Sequence, residues 1–272
     1  MAHRNPQLHR PLRILEWNAN GIRREALEFA QLLTTQQIDI ALIAETKLTP
    51  HAIWRIPDYE IYRTQGPTNG HGGTAVIVKN TINHSPLTID GLDNIQLTAI
   101  EIFSRTRRIT VGAVYISPTK DLLNSDLDKL TGQSTDFIYG GDFNAKSPNW
   151  NSRTTNRKGR TLLNHSIDEY YDVIGPTLPT IYPYAQNSRP DVLDIFLIKP
   201  NPIINSIDVL NELASDHNPV ILEIDIHAHR SYTPNYTLKT TNWAQYRQIL
   251  NDTIPANIVI NTTDELDIAT QT

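Results

Sequence analysis

Cysteine is absent from the 272-residue sequence, which excludes disulfides, thiolate-bound zinc, iron–sulfur clusters and cysteine nucleophiles. Long hydrophobic runs are absent as well, and none approaches the roughly 20 apolar residues that a membrane-spanning helix needs. The first eleven residues are polar and carry two Arg and two His, unlike a secretory signal. From these absences we expect a cytosolic or nuclear protein that does not contact a membrane.

Excess positive charge is also absent. The chain has 24 Lys and Arg against 29 Asp and Glu, a net charge of −5 at pH 7, whereas proteins that bind nucleic acid tightly usually have a strongly basic face. An enzyme that contacts a phosphodiester transiently remains compatible with this balance, because metal-binding carboxylates add negative charge. With 39% hydrophobic residues, the chain can form one large domain or two small ones.

Between residues 11 and 228, short apolar runs alternate with polar loops. Alternating or β-branched runs predict strands, and apolar residues at helical spacing predict helices. The predicted strands are residues 12–17, 38–44, 73–78, 95–103, 108–116, 137–139, 192–198 and 220–226, and the predicted helices are residues 23–36, 122–130 and 159–171. Because strands outnumber helices and often follow one another closely, the pattern favours mixed sheets in a layered α/β domain.

The two ends of the chain have a different composition. Residues 1–10 form a polar tail, and residues 227–240 are polar with one proline, as in a linker. Residues 242–254 have apolar residues spaced as on a short helix, but the end of the chain is too short to form a core. We expect a domain over residues 11–228, followed at 229–272 by a linker or tail that leads toward a further downstream domain.

Polar residues follow the first two predicted strands. Asn18 and Asn20 come after the first strand, and Glu45 comes after the second. A carboxylate at the mouth of a buried strand needs a partner such as a metal ion, although it can also be an exposed loop residue. The two asparagines can face a cleft, or they can form an Asx turn that caps the next helix.

Further along the chain, Tyr115 ends a predicted strand and can donate to a phosphate oxygen, or lie in the core with its hydroxyl satisfied. Asp142 and Asn144 follow two glycines, and alternate residues of an extended segment share a side. There a carboxylate can act as general base while the amide orients the attacking water. The other interpretation is an ordinary Gly-Asp turn.

Asp194 lies inside an apolar run and therefore needs a partner. His217, preceded by Asp216 in the segment S-D-H-N-P, is a natural one, because a carboxylate can hold an imidazole in one tautomer. The alternative is an aspartate bonded only to backbone. Without cysteines or a histidine cluster a transition-metal site is disfavoured, and an all-oxygen set of Glu45, Asp142 and Asp216 suits Mg²⁺.

Taken in order, these residues resemble the endonuclease/exonuclease/phosphatase superfamily over residues 11–228. The resemblance implies a four-layered α/β sandwich, with two packed mixed β-sheets flanked by helices, and Mg²⁺-dependent phosphodiester hydrolysis, with Mn²⁺ as an alternative ion. It also implies roles for the matched residues: metal binding by Asn18, Glu45 and Asp216, contact with phosphate by Tyr115, activation of water by Asp142 and Asn144, and orientation of His217 by Asp194.

Asn20 stands where cellular apurinic endonucleases have an aspartate, which argues against abasic-site repair. The segment 187–195 (NSRPDVLDI), and 140–145 (GGDFNA) followed by Trp150, look like the endonuclease domains of jockey-like non-LTR retrotransposons. This resemblance implies nicking of chromosomal DNA in the nucleus, so that the exposed 3′-hydroxyl primes reverse transcription. The implied partners are double-stranded DNA and a downstream reverse transcriptase domain of the same polyprotein, and the isolated domain is expected to be monomeric.

The densest basic run is residues 153–160, which includes Arg157 and Lys158. We interpret it as a loop that touches the phosphate backbone, with Asn20 and Asn187 as further substrate contacts, while a solvated charged loop is the alternative. Two other functions remain open. One is hydrolysis of another phosphoester, such as abasic DNA, RNA, a phospholipid or an inositol phosphate, and the other is a catalytically dead copy that binds nucleic acid.

Overall fold

A computed structural model describes residues 10–66, 71–104, 107–184, 189–200, 202–226, 228–230 and Gln248. The chain divides into two units, Met1–Ser231 and Tyr232–Thr272, and the features below belong to the first. Of the linker expected at residues 227–240 and the helix expected at 242–254, the structure describes residues 228–230, where Ala228 and Arg230 form β-bridges with Ser104 and Ile82, and Gln248. The domain boundaries therefore stay predictions.

Two six-stranded mixed sheets form the centre of the first unit. The first sheet has the spatial order β11-β12-β1-β2-β4-β3, with β1 (Leu12–Asn18), β2 (Ile40–Ala44), β3 (Tyr59–Thr64), β4 (Thr74–Lys79), β11 (Ile204–Val209) and β12 (Val220–Ile224). The second has the order β5-β6-β7-β8-β10-β9, with β5 (His84–Leu87), β6 (Gln96–Phe103), β7 (Arg108–Tyr115), β8 (Phe137–Asp142), β9 (Asp172–Ile174) and β10 (Asp194–Lys199). Each sheet contains one parallel pair, β1 with β2 and β7 with β8, and the other neighbouring strands are antiparallel.

Three helices cover the outer faces of the sheets: α1 (Ala26–Thr35), α2 (Asn124–Thr131) and α3 (Arg157–Asp168). Helix α1 packs Phe29 and Leu33 against Trp17 on the first sheet. Helices α2 and α3 cover the second sheet, and the inner faces of both sheets form a third, shared core. The order helix, sheet, sheet, helix confirms the four-layered sandwich.

Side-chain alternation along β1 shows how the layers lead to a polar site. Leu12 and Ile14 face the second sheet, whereas Leu15 and Trp17 face α1. Glu16 and Asn18 continue the inward-facing series and are buried. The shared core therefore turns polar at the carboxyl end of β1.

The eight predicted strands and three predicted helices are all present, with ends shifted by a few residues. Four strands were not predicted: β3, β5, β9 and β11, which are the outer strands of the two sheets. The expectation of a basic loop was wrong for residues 157–160, since they form the first turn of α3, where the Asn156 side chain caps the helix by accepting from the Gly159 N–H at 2.8 Å. Among the described residues, no helix combines the length and apolarity that crossing a membrane requires.

Candidate active site

Strand pairing brings the predicted site residues to one edge of the sandwich. In the first sheet Asn18 pairs with Ala44, the residue before Glu45. In the second sheet Asp142 pairs with both Tyr115 and Asp194, on its two neighbouring strands. The carboxyl ends of both parallel pairs meet here, so each sheet contributes functional groups to the same cleft.

Asn18 connects the two sheets. Its Nδ2 donates to Glu45 Oε1 at 3.1 Å and to Asp142 Oδ2 at 2.9 Å, and its Oδ1 accepts from the Asn20 backbone N–H at 3.0 Å. The amide is 1% exposed. It therefore holds two carboxylates from different sheets at a fixed separation, with its nitrogen turned toward them.

Asp142 and Asn144 have the positions expected of a general base and its partner. Asp142 is 2% exposed, and its Oδ1 accepts from the Asn144 backbone N–H at 2.9 Å. The Asn144 side chain donates to the Ile116 carbonyl at 3.0 Å, and Asn144 adopts a left-handed φ of 48°. Asparagine adopts this conformation more readily than most residues, which suits the turn after β8.

His217 is paired with Asp194 beneath the same cleft. Its Nδ1 lies 2.8 Å from Asp194 Oδ2, and its Nε2 lies 3.9 Å from Asp142 Oδ2. Burial lowers the pKa of His217, but the carboxylates of Asp194, Asp142 and Asp216 outweigh it and raise that pKa to about 10. His217 is therefore an imidazolium at neutral pH and can donate to an anion.

Burial has the opposite effect on the carboxyl group of Asp142. Desolvation raises its pKa, His217 opposes the rise, and Asp194 adds to it, with a result of about 7. Burial, followed by the charges of Glu45 and Asp142, raises the pKa of Tyr115, whose hydroxyl bonds to Glu45 and so stays a neutral donor. The site thus combines a poised base with two proton donors.

Lys47 is a site residue that sequence reasoning missed. Its Nζ lies 3.1 Å from Glu45 Oε2 and donates to Asn20 Oδ1, while Asn20 Nδ2 donates to Asp216 Oδ1 at 3.1 Å. These contacts form a continuous chain from Asp216 through Asn20 and Lys47 to Glu45. A cation two residues after Glu45 was the signal available in the sequence.

Glu16 is a second group that sequence reasoning missed. It is fully buried, and neither carboxyl oxygen has a hydrogen-bond partner among the described residues. Burial first, and then the charges of Asp194 and Asp142, raise its pKa well above the ordinary value. The available signal was an acidic residue inside the apolar run of β1.

The arrangement of donors fits a divalent cation. Ligand atoms of Asp142, Asp194 and His217 all lie within 4.8 Å of one another, but only the two carboxylates among them can bind a metal ion while His217 is protonated. Asp194 and His217 already satisfy each other, however, and the part-exposed carboxylates of Glu45 and Asp216 supply oxygen donors at the cleft surface. Glu45 also has a cationic partner in Lys47, so this carboxylate already has one positive charge beside it.

The residues predicted to contact the substrate do not all lie together in the structure. Asn20 lies in the cleft, beside a cavity of about 300 Å³ that is also lined by Arg23, Arg24 and Tyr184. The Arg157 side chain is 81% exposed and lies 3.3 Å from Asp121, whereas Lys158 is buried. Asn187 lies outside the described residues.

Comparison with known proteins agrees with this geometry. A model of the Endonuclease/Exonuclease/phosphatase family matches residues 15–217. The chain is 32% identical over 268 residues to the probable RNA-directed DNA polymerase from transposon X-element of Drosophila melanogaster, covering 95% of this chain and 29% of that protein. It is 32% identical over 214 residues to the RNA-directed DNA polymerase from mobile element jockey of Drosophila melanogaster, covering 77% and 23%. The chain thus spans less than a third of the length of these relatives.

Solved structures share the fold. The endonuclease domain of TRAS1, a telomere-specific non-LTR retrotransposon, superposes with a TM-score of 0.65 at 22% identity over 79% of this chain and 98% of that one. The AP endonuclease LMAP from Leishmania major gives a TM-score of 0.62 at 13% identity over 81% and 89%. Since the family model matches well over half of the sequence, the chain belongs to the Endonuclease/Exonuclease/phosphatase family and is a phosphoester hydrolase.

Proposed function

We propose that this chain is the endonuclease domain of a non-LTR retrotransposon polyprotein. It nicks double-stranded chromosomal DNA in the nucleus, and the exposed 3′-hydroxyl primes reverse transcription by a polymerase domain of the same polyprotein. The observation that carries the proposal is the cluster of Asn18, Glu45, Asp142, Asp194 and His217, which joins both sheets at one edge. The polymerases encoded by mobile elements among its relatives support the biological setting.

In the proposed reaction Asp142 accepts a proton from the attacking water. The pKa of Asp142 is about 7, and a general base is most effective when its pKa lies near the working pH. Asn144 donates its backbone N–H to Asp142, and its side chain, which donates to the Ile116 carbonyl, orients the water. The water then attacks the phosphorus, and the bond to the 3′-oxygen breaks.

His217 and Tyr115 stabilise the charge that develops on the phosphate oxygens. Asp194 fixes the ring of His217 through Nδ1, which leaves the Nε2–H free to donate toward the cleft. Tyr115 remains a neutral hydroxyl because its pKa is raised. Preorganised donors in a dry site contribute more than the same groups in water.

Glu45 and Asp216, with Asn18 beside them, would hold the Mg²⁺ ion, for which Mn²⁺ is an alternative, and Asn20 is proposed as a contact with the DNA. All of these side chains offer oxygen atoms, as Mg²⁺ prefers. When bound, the ion would neutralise charge on the scissile phosphate and on the leaving 3′-oxygen. Arg157, Lys158 and Asn187 are proposed as further contacts with the DNA.

The proposal is tested by incubating the purified chain with supercoiled plasmid and Mg²⁺, beside the Asp142→Ala variant and an EDTA control. We expect open circles only from the wild-type chain with metal. If the folded wild-type chain leaves the plasmid intact, the proposal is wrong, and a panel of abasic DNA, RNA, phospholipid and inositol phosphate substrates would identify the phosphoester that it cleaves. Equal nicking by Asp142→Ala would refute the assignment of the base.

A further inference from the structure

Lys158 differs in its burial from the other basic residues of the run 153–160, which are exposed. It is 7% exposed, whereas the side chain of its neighbour Arg157 is 81% exposed. Its Nζ donates to the Ser117 carbonyl at 2.7 Å, which is the only hydrogen bond of this ammonium group among the described residues. An ammonium group has three N–H donors, so two of them have no partner in the protein described here.

The start of α3 places this lysine by a set of close contacts. Asn156 Oδ1 accepts from the backbone N–H groups of Lys146 at 2.9 Å and Gly159 at 2.8 Å, and its Nδ2 donates to the Asn144 carbonyl at 2.9 Å. A Cβ at Gly159 would lie 1.8 Å from the Lys146 carbonyl oxygen, so only glycine allows this approach. The helix start is therefore fixed against the loop that carries Asn144.

The ammonium group lies on the same side of the cleft as the proposed base. It bonds to Ser117, two residues after Tyr115, and the adjacent Ile116 carbonyl accepts from Asn144. Burial lowers the pKa of Lys158, and the carboxylates of Asp142 and Asp121 oppose this shift only in part. No ion pair joins Lys158 to a carboxylate within the described part of the chain, although a buried cation usually has one.

We propose that Lys158 is a phosphate-binding residue of the active site, whose ammonium group donates to a nonbridging oxygen of the DNA strand bound over Asp142. An anionic oxygen of the substrate would use the donors that the protein leaves without a partner. The inference rests on the proposed nuclease function and goes beyond it, because it separates one buried cation from the exposed charges around it.

The first experiment compares Lys158→Met with Lys199→Met on the plasmid and on a duplex oligonucleotide. Lys199 is a matched control because its Nζ also donates to a backbone carbonyl, that of Glu169 at 2.6 Å, at the opposite end of β10 from Asp194. We expect Lys158→Met to lower kcat/KM by on the order of 10- to 100-fold, as for loss of a hydrogen bond between charged groups. Lys199→Met should match wild type, and Lys158→Arg should recover part of the rate.

The second experiment identifies the contact. Single phosphates around the nick are replaced in turn by neutral methylphosphonates, and Kd is measured for the Asp142→Asn variant and for a double variant that combines Asp142→Asn with Lys158→Met. At one phosphate the replacement should weaken binding only when Lys158 is present, because both changes then remove the same interaction. Thermal unfolding checks that the variants fold, and Lys158→Gln replaces Lys158→Met if that variant does not.

The outcomes separate the two proposals. Absence of nicking by the wild-type chain overturns the proposed function and this inference with it. If the wild-type chain nicks DNA, either of two results overturns the inference alone. One is an unchanged kcat/KM in the folded Lys158 variant, and the other is that each methylphosphonate weakens binding equally with and without the lysine.

Discussion

Asp142 is a stronger base than an ordinary aspartate because burial and Asp194 favour its protonated form, and this should appear in the pH dependence of cleavage. Asp142 must be ionised and His217 must be protonated. We expect kcat/KM to rise through pH 7, the pKa of Asp142, and to fall as His217 deprotonates near pH 10. The measurement is nicking of an oligonucleotide at saturating Mg²⁺ across this range, since a bell-shaped profile reports the two groups.

A His217→Gln variant provides the control for this profile. It should nick slowly, by analogy with removal of one preorganised donor, which costs on the order of 100- to 1000-fold in rate. Its activity should no longer fall at high pH. A falling limb that persists in His217→Gln would assign that limb to another group.

Glu16 should make the protein less stable as the pH rises. Its folded-state pKa is raised, so between about pH 4.5 and that pKa the unfolded chain has lost a proton that the folded protein retains, and stability falls with increasing pH. Glu16→Gln removes this loss. We expect the variant to be more stable than wild type by about 1–3 kcal/mol at pH 7, and the difference to shrink toward pH 4.

Urea unfolding of both proteins at several pH values measures that difference directly. Glu28→Gln, an exposed change on α1, is the matched control and should alter stability by less than about 0.5 kcal/mol. A Glu16→Gln difference that is constant from pH 4 to pH 7 would contradict the assignment of a raised pKa.

At the scale of elements, the strands that the sequence predicted are those with neighbours on both sides. Strands β2 and β8 are buried along their whole length, so their apolar runs are continuous. The outer strands β5 and β11 are only half buried, and their composition resembles that of a loop. These strands form by pairing with the edge of a sheet made by the inner strands, and no local sequence pattern indicates that edge.

The active site shows the same division between local and tertiary information. Asp142 and Asn144 were predictable because a turn places both on one side of a strand end. The burial of Lys158 was not predictable, because it depends on how closely Gly159 approaches Lys146, a contact across the loop from β8 to α3. Likewise Lys47 gains its role only when Asn20 lies beside it.

The junction between α3 and the β8 loop should be sensitive to a single methyl group. In Gly159→Ala the new Cβ would meet the Lys146 carbonyl at 1.8 Å, so the helix start must move. We expect a loss of about 1–3 kcal/mol in stability, typical of overpacking, together with reduced nicking by the folded protein. Thermal unfolding and kcat below the transition give both quantities.

Asn164→Ala, an exposed change in the same helix, is the control and should alter stability by less than about 0.5 kcal/mol. If Gly159→Ala were as stable and as active as Asn164→Ala, the close approach of α3 would not matter for the site.

For the whole molecule, one ionic contact at the opposite end of β2 from Glu45 joins distant parts of the sequence. Asp39 is fully buried just before β2, whereas Glu45 follows the other end of that strand. Arg10 contacts its Oδ1 at 2.6 Å, and Arg230 contacts the two oxygens at 2.8 and 3.0 Å. One carboxylate therefore joins the first and last described parts of the folded unit.

Removing this carboxylate should cost stability without changing the chemistry. We expect Asp39→Ala to lower the free energy of unfolding by about 3–5 kcal/mol, the range for breaking a buried ion pair. Below its unfolding transition the variant should nick at the wild-type rate, because Asp39 and Glu45 occupy opposite ends of β2. Loss of activity at a temperature where the variant is folded would show that the two ends are coupled.

Because Arg10 and Arg230 both bind the carboxylate of Asp39, the first and last described residues of the folded unit lie close together. Strand pairing and side-chain packing hold its layers together. Because residues 10 and 230 lie close to each other, the order of the elements along the chain matters little for the fold. A short peptide could therefore link residue 230 to residue 10, and new termini could be placed in the exposed turn of residues 132–135. Such a permuted chain would keep both sheets and the cleft while starting and finishing somewhere new.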